Sequence, residues 1–328
     1  MVTDPITTFP CVVARTTRNG IVIWATQLEG SGFAYTPKGI EATSDGGVIL
    51  AVDELRLGSG TNGLLVKMRE DGSVEWSSEI VTGADVGLAS VTQSSGDGHY
   101  VVTGHTARDS SQTHKKLFVQ KFDSLGSSLW SFHFDQDAGG EFPARILEAA
   151  NSDIIVCGGS ASSLVGGSAE PLILRLSSSG SLLWANSYGL VVFLTQIFDC
   201  VEAPDGSIYF TGTILPTGAL FGAVDSAGSL VMAKSIGNAG FGYGASLAIM
   251  PSLNYLLTGY TLLPTQGSTD ILLMEMTPSG GLVRALAYGD SGPQAIIRLH
   301  QNNGIFVGTG VSHNSATASD DVFIASFS

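Results

Sequence analysis

The chain alternates short apolar runs with polar corners. Leu64-Leu65-Val66-Lys67-Met68, Leu117-Phe118-Val119-Gln120-Lys121-Phe122 and Leu172-Ile173-Leu174-Arg175-Leu176 each end at a turn containing glycine. Beyond the turn a second short run carries a tryptophan. Runs of this length, rich in β-branched and aromatic residues and bounded by Gly, Asn and Asp, predict strands and leave no room for a convincing helix. Trp24, Trp76, Trp130 and Trp184 follow one another at spacings of 52, 54 and 54 residues, and Met232 and Arg284 hold the next two equivalent places. Four residues before each stands a glycine: Gly20, Gly72, Gly126, Gly180, Gly228 and Gly280. At the glycine content of this chain, chance agreement at all six is on the order of one in 10⁵. Asn19-Gly20 and Asp71-Gly72 read as type I′ hairpin turns, in which both central residues have positive φ.

Each unit holds a second hairpin, with its turn at Asp45-Gly46-Gly47, Gly96-Asp97-Gly98, Asn151-Ser152-Asp153, Asp205-Gly206, Ser252-Leu253-Asn254 or Asn302-Asn303-Gly304. The strand that follows is apolar on both faces, as in Ile208-Tyr209-Phe210-Thr211-Gly212, and a glycine closes it at Gly104, Gly158, Gly212, Gly259 and Gly310, with Val52 the exception. One unit is therefore four strands, called a to d from the inside outwards. Repetition of such a unit about every fifty residues predicts an all-β fold, a β-propeller of four-stranded antiparallel blades, in a single domain over 1–328. Six blades is the expected count and seven the alternative, with the ring closed by the N- and C-terminal strands in one shared blade (1–30 with 290–328). Strand c occurs seven times, so one copy, near residues 11–15 or 322–327, is a spare edge that could pair inside the molecule or with a protein partner.

The Gly-x-x-x-Trp strand, the apolar strand ending in Thr-Gly and the acidic a–b turn resemble the bacterial β-propeller repeats often found in surface proteins. Gly242-Tyr243-Gly244-Ala245 with Tyr255-Leu256-Leu257-Thr258-Gly259 is the stretch most similar to them. The resemblance implies a fold and says nothing of an activity. Met232 and Arg284 depart from it, so the last two blades are expected to pack their outer strands differently.

Charge narrows the partners. Against 29 acidic residues stand 15 Lys and Arg, a formal net charge of −14, with the basic residues scattered. Phosphate backbones and anionic lipid surfaces are bound through clustered cations, so neither nucleic acid nor membrane insertion is expected. The uncharged stretch 239–269 is interrupted by Gly240, Gly242, Gly244, Pro251 and Pro264, which suits strands rather than a membrane span. Cys11, Cys157 and Cys200 lie far apart and within apolar runs, so they read as buried thiols rather than a disulfide framework. The first residues lack a basic start and an apolar core, so no signal peptide is visible.

Candidate chemistry lies on the loops joining strands b to c and d to a, which share one face of a propeller. Phe33, Tyr35, Phe142, Tyr188, Phe241 and Tyr243 supply aromatic rings to that face, and Asp135, Asp137, Glu141 and Asp290 supply carboxylates. Residues 135–141 superficially resemble a Ca²⁺ loop, making Ca²⁺ the one cofactor candidate, but the third alternating ligand and the terminal Glu are missing. The six histidines show no zinc-binding spacing, and no Gly-x-Ser-x-Gly nucleophile elbow occurs in a strand–turn–helix setting. A determined scaffold without a convergent catalytic set leads to the expectation of a non-catalytic structural or protein-recognition module in a larger assembly, a virion or phage particle or a bacterial surface. The alternatives are a glycan-binding adhesin and a propeller enzyme such as a quinone-dependent dehydrogenase.

Overall fold

In a computed structural model the six c–d turns share one construction. The residue that opens the turn donates its N–H to the carbonyl four residues on, and the glycine donates back, as in Arg69 N to Ser73 O at 2.8 Å and Gly72 N to Arg69 O at 3.0 Å. Among the described residues of these turns only the glycine has positive φ, +79° at Gly20 and +84° at Gly72. This is a type I turn followed by one left-handed residue, not the type I′ turn expected, because a three-residue loop needs a single positive φ and glycine meets that need without strain. The a–b turns at 43–47, 149–153, 203–207 and 250–254 repeat the pattern, with Ser152 (φ 68°) and Leu253 (φ 64°) in the glycine place of two of them, and the turn at 94–99 is one residue longer.

The described residues are 11–17, 19–30, 33–56, 60–80, 85–107, 115–136, 140–161, 169–189, 194–215, 218–237, 243–260, 270–288, 293–302, 305–314 and 319–327. They form 25 strands and no helix. A two-stranded sheet joins β1 (Cys11–Thr16) and β2 (Val22–Leu28). Four-stranded sheets follow: β3 (Phe33–Ala42), β4 (Val48–Arg56), β5 (Gly60–Met68) and β6 (Val74–Ile80); then β7 (Val86–Gln93), β8 (Tyr100–Ala107), β9 (Lys115–Phe122) and β10 (Ser128–Phe134). The third is β11 (Gly140–Glu148), β12 (Ile154–Ala161), β13 (Ala169–Leu176) and β14 (Leu182–Ser187). The fourth is β15 (Leu194–Glu202), β16 (Ile208–Leu215), β17 (Gly218–Val224) and β18 (Leu230–Ile236), and the fifth β19 (Gly244–Ile249), β20 (Tyr255–Tyr260), β21 (Ile271–Met276) and β22 (Leu282–Tyr288). A sixth sheet holds β23 (Gln294–Asn302), β24 (Ile305–Asn314) and β25 (Ser319–Phe327). Sequential antiparallel strands in every sheet are the blades of a six-bladed β-propeller, as the periodicity predicts. β25 holds the c place beside β24 in unbroken register, and β1 pairs with β2.

By compactness the chain divides into two units, one of residues 1–156, 161–165 and 175–183, the other of 157–160, 166–174 and 184–328. Within the first, the Gly-x-x-x-Trp motif acts between consecutive sheets. A side chain on Gly72 would come within 2.6 Å of the Trp24 ring, and Gly126 and Gly180 stand in the same relation to Trp76 and Trp130. Trp24 Nε1 donates to Glu70 O at 2.8 Å, and Thr26 Oγ1 to Gly72 O at 2.8 Å. Ile49, Leu65, Val102 and Phe118 form the apolar core of this unit, with Trp76 packed against it. Lys67, 1% exposed, crosses that core to Asp45 at 2.8 Å and to Met68 O at 3.0 Å, while Lys121–Asp97 and Arg175–Asp153 repeat the tie from strand c to the a–b turn. These ion pairs explain the acidic a–b turns, since a buried ammonium stays charged only with an acceptor beside it.

In the second unit Trp184 lies on Gly228, and Met232 with Lys234 takes over the place on Gly280, Lys234 Nζ donating to Gly280 O at 3.0 Å. The last repeats thus differ in their outer packing as the sequence implies. Phe221, Leu257 and Met274 centre the core, and Tyr209 stacks on Tyr255 at 4.0 Å. Cys157 and Cys200, both buried, form a disulfide with Cα atoms 6.6 Å apart, which corrects the reading of three free thiols. A separation of 43 residues conceals the pairing in sequence; strands β12 and β15 bring the two sulfurs together.

Candidate functional site

Five a-strands each break their pairing at one residue: Lys38 in β3, Ala89 in β7, Phe198 in β15, Ala245 in β19 and Ile297 in β23. Opposite the break stands the closing residue of the b-strand, Gly104, Gly212, Gly259 or Gly310 in four of these sheets and Val52 in β4. A side chain on Gly104 would strike the Gly87 carbonyl, on Gly212 that of Gln196, on Gly259 that of Tyr243 and on Gly310 that of Ala295. In those four sheets the closing glycine is a backbone requirement, and the residue after the closing place varies: Asp53, His105, Thr213, Tyr260 and Val311 in their respective sheets.

In the first unit these places collect charge. Lys38 Nζ lies 3.3 Å from Asp53 Oδ2, and Asp53 Oδ1 accepts the Leu88 N–H at 2.7 Å, tying the first four-stranded sheet to the second. His105 lies over Gly87, where an added Cβ would come within 2.6 Å of the imidazole, and its ring centroid is 6.3 Å from that of Phe142. Lys115 Nζ stands 5.4 Å from the Phe142 centroid, and its backbone packs so closely on Gly140 (φ +101°) that a side chain there would come within 2.6 Å of it. Burial, then the Lys115 and Lys38 charges, push the His105 pKa down to about 4, so the imidazole is neutral at pH 7. Burial raises the Asp53 carboxyl against the opposing pull of Leu88 N–H and Lys38, and burial lowers Lys115. A half-buried neutral base, two ammonium groups, a carboxylate and an aromatic face thus converge where β3, β4, β7, β8, β9 and β11 approach one another. Such a set can hold an anion and accept a proton.

The residues expected from sequence fall in separate places. Phe33 lies under the Arg56 guanidinium at 5.3 Å, and Tyr35 donates to Glu54 Oε1 at 3.2 Å in a network with Arg56, Glu79 and Asn62. Asp135 pairs with Lys116 at 3.3 Å, and Glu141, fully buried, accepts the Gln136 N–H at 2.8 Å. Phe142 alone belongs to the charged cluster. Tyr188 is buried and donates to Gly228 O at 2.7 Å, with its pKa pushed up to about 12 by burial. Tyr243 packs 5.1 Å from Tyr260 and 6.2 Å from Phe198, all three half-buried. Asp137, Phe241 and Asp290 lie outside the described residues. No group of three or more potential metal ligands occurs among the described residues. Lys38, Asp53, His105 and Lys115 were not singled out as site residues by sequence; the available signal was the place of Asp53 and His105 after the closing b-strand residue and of Lys115 at the end of the loop between strands b and c, and nothing of the kind marks Lys38.

No protein-family model matches the chain, and no curated protein does. Solved structures do. A protein of unknown function from Dyadobacter fermentans DSM 18053 aligns with TM-score 0.57 and 12% identity over 90% of this chain and 95% of its own. A Bacteroides fragilis NCTC 9343 protein, provisionally described as a 6-phosphogluconolactonase, aligns with TM-score 0.53 and 10% identity over 99% and 100%. The α-L-arabinanase of Penicillium chrysogenum, solved with arabinobiose, aligns with TM-score 0.52 and 9% identity over 90% and 93%. At these identities the likeness shows the fold alone. Those of the three whose names state an activity are named as enzymes, and none of the three supports a non-catalytic structural module of a virion or surface assembly. That expectation is corrected: it rested on the absence of a catalytic motif in sequence, whereas the polar cluster around His105 is assembled across three sheets.

Proposed function

We propose that the protein is a hydrolase of small anionic sugar derivatives, cleaving an ester or lactone bond at the cluster of Lys38, Asp53, His105, Lys115 and Phe142. The observation that carries this reading is the half-buried neutral imidazole of His105 set beside two ammonium groups and an aromatic face. The lysines bind the phosphate or carboxylate of the substrate, and Phe142 offers its ring to the apolar face of the sugar. Water attacks the acyl carbon while His105 takes its proton. The tetrahedral intermediate then collapses, the acyl–oxygen bond breaks, and the imidazolium returns the proton to the leaving alkoxide. With the site empty, the ammonium groups add to burial in holding the His105 pKa near 4. An anionic substrate neutralises them and moves the imidazole towards its ordinary value near 6.5, making it a stronger base when substrate is present. Asp53 is a positioning residue, holding Lys38 and the β7 backbone. The names of the Bacteroides fragilis and Penicillium chrysogenum proteins also point to sugar chemistry, on a shared scaffold only.

Hydrolysis of aldonolactones with and without a 6-phosphate, followed by pH-stat, tests the reading. Phosphorylated lactones should be preferred, Lys115→Met should raise KM about tenfold with little change in kcat, and His105→Gln should lower kcat. Equal rates for charged and uncharged lactones, or full activity in His105→Gln, would overturn it.

A further inference from the structure

A cavity of about 280 Å³ opens in the second unit, lined by Met250, Leu256, Leu273, Phe306, Leu286 and Tyr288, with Glu275 and Arg284 at its rim. The repeat explains its shape. Arg284 holds the place that Trp76 holds two hundred residues earlier, and Phe306, four residues before Gly310, holds that of Tyr100, four before Gly104. Trp76 and Tyr100 meet with ring centroids 5.6 Å apart. Where the earlier repeat places an indole, this one has a guanidinium drawn to a carboxylate: Arg284 Nε reaches Glu275 Oε2 at 2.7 Å, and its side chain is 59% exposed. Glu275, 11% exposed, is held in turn by Asn254 at 2.7 Å. The indole-sized volume stays open above buried Leu256, Leu273 and Phe306. A cavity of roughly 150 Å³ already admits benzene.

We infer that this cavity is a second ligand site, one that takes a planar bicyclic aromatic carboxylate. The ring enters the place vacated by tryptophan and lies against Phe306, Leu256 and Met250. The carboxylate meets the Nη edge of Arg284, which among the described residues has no other acceptor than Glu275. Charge-assisted pairing of a guanidinium with a carboxylate supplies the preference for an acid over a neutral ring. The site is independent of the His105 cluster and of the reaction proposed there.

Calorimetric titration of the intact protein with indole-3-acetate and with uncharged indole tests it. Indole-3-acetate should bind with a sub-millimolar Kd, about tenfold more tightly than indole. Arg284→Gln, a change at an exposed position that leaves the fold intact, should make the two affinities equal. Arg284→Trp should fill the cavity and abolish binding of both. Absence of binding at several millimolar indole-3-acetate, equal affinities in the wild type, an acid preference that persists in Arg284→Gln, or undiminished binding in a folded Arg284→Trp would each overturn the assignment.

Discussion

Two places in the repeat carry ionisable residues in some sheets of the first unit and rings in some sheets of the second. The residue at the a-strand break is Lys38 in one and Phe198 in the other; the residue beside the closing b-strand place is Asp53 or His105 in one and Tyr260 in the other. Burial and the Lys115 and Lys38 charges lower His105, and burial raises Asp53 against the pull of the Leu88 N–H and Lys38, whereas Phe198, Tyr243 and Tyr260 pack as a half-buried aromatic group with the Tyr260 pKa raised by burial and by Tyr243. The scaffold therefore fixes where a side chain can project and leaves its chemistry open. An imidazole whose neighbouring ammonium groups are neutralised by an anion can transfer a proton near neutrality; a cluster of phenols and a benzyl ring cannot, because phenols ordinarily titrate near pH 10.

The largest expected effect breaks the comparison at its functional end. His105→Gln should lower turnover of a phosphorylated lactone by 10² to 10⁴, the usual span for a general base, whereas Tyr260→Phe should leave it unchanged; steady-state rates of both variants decide this. Next comes a substitution to which both units should respond alike. Gly104→Ala and Gly212→Ala each drive a methyl into a backbone carbonyl, and each should cost about 3 kcal/mol, at the upper end for overpacking, read by urea denaturation. A small loss at either position would show that the a-strand break is not a fixed feature of the scaffold.

Acid separates the units again. The folded pKa of His105 is depressed, so between pH 6.5 and about 4 the unfolded chain binds the extra proton. Stability from this group is complete above pH 6.5 and is lost as pH falls to 4, by about 3 kcal/mol. Burial would raise Asp45, but Lys67, Thr43 and Gly47 outweigh it and hold the carboxyl at about 2, so a further loss follows as pH falls below 4. Denaturation midpoints across pH 3 to 8 in wild type and His105→Phe measure the first contribution by difference. The smallest effect lies in the second unit: Leu253→Gly, at φ 64° in an exposed turn, should raise stability by about 1 kcal/mol, since left-handed backbone costs a side-chain-bearing residue that much. No gain in thermal denaturation would contradict the turn construction.

Sequence revealed what the backbone demands and missed what distant strands assemble. Glycine spacing gave six blades because the turn and strand-closing glycines are local requirements, each visible in its own few residues. Its reading of Asn19-Gly20 as type I′ failed because composition cannot tell one positive φ from two. The Cys157–Cys200 bond and the Lys67–Asp45 pair depend on registry between strands, which periodicity does not carry. His105 escaped notice for the same reason: its place after Gly104 does not reveal that its cationic and aromatic surroundings come from Lys38, Lys115 and Phe142 on three other strands. Phe33, Tyr35 and Tyr188, chosen for exposure on loops, turn out to be held by Arg56, Glu54 and Gly228.

The most direct measurement of the proposed active site is an NMR titration of the imidazole resonances, with His105 assigned by loss of its signal in His105→Gln. The account predicts an apparent pKa near 4 in the free protein and an upward move when D-glucose 6-phosphate, an uncleavable sugar phosphate, is added. Titration at the ordinary value near 6.5 in the free protein, or a pKa unmoved by saturating sugar phosphate, would contradict it.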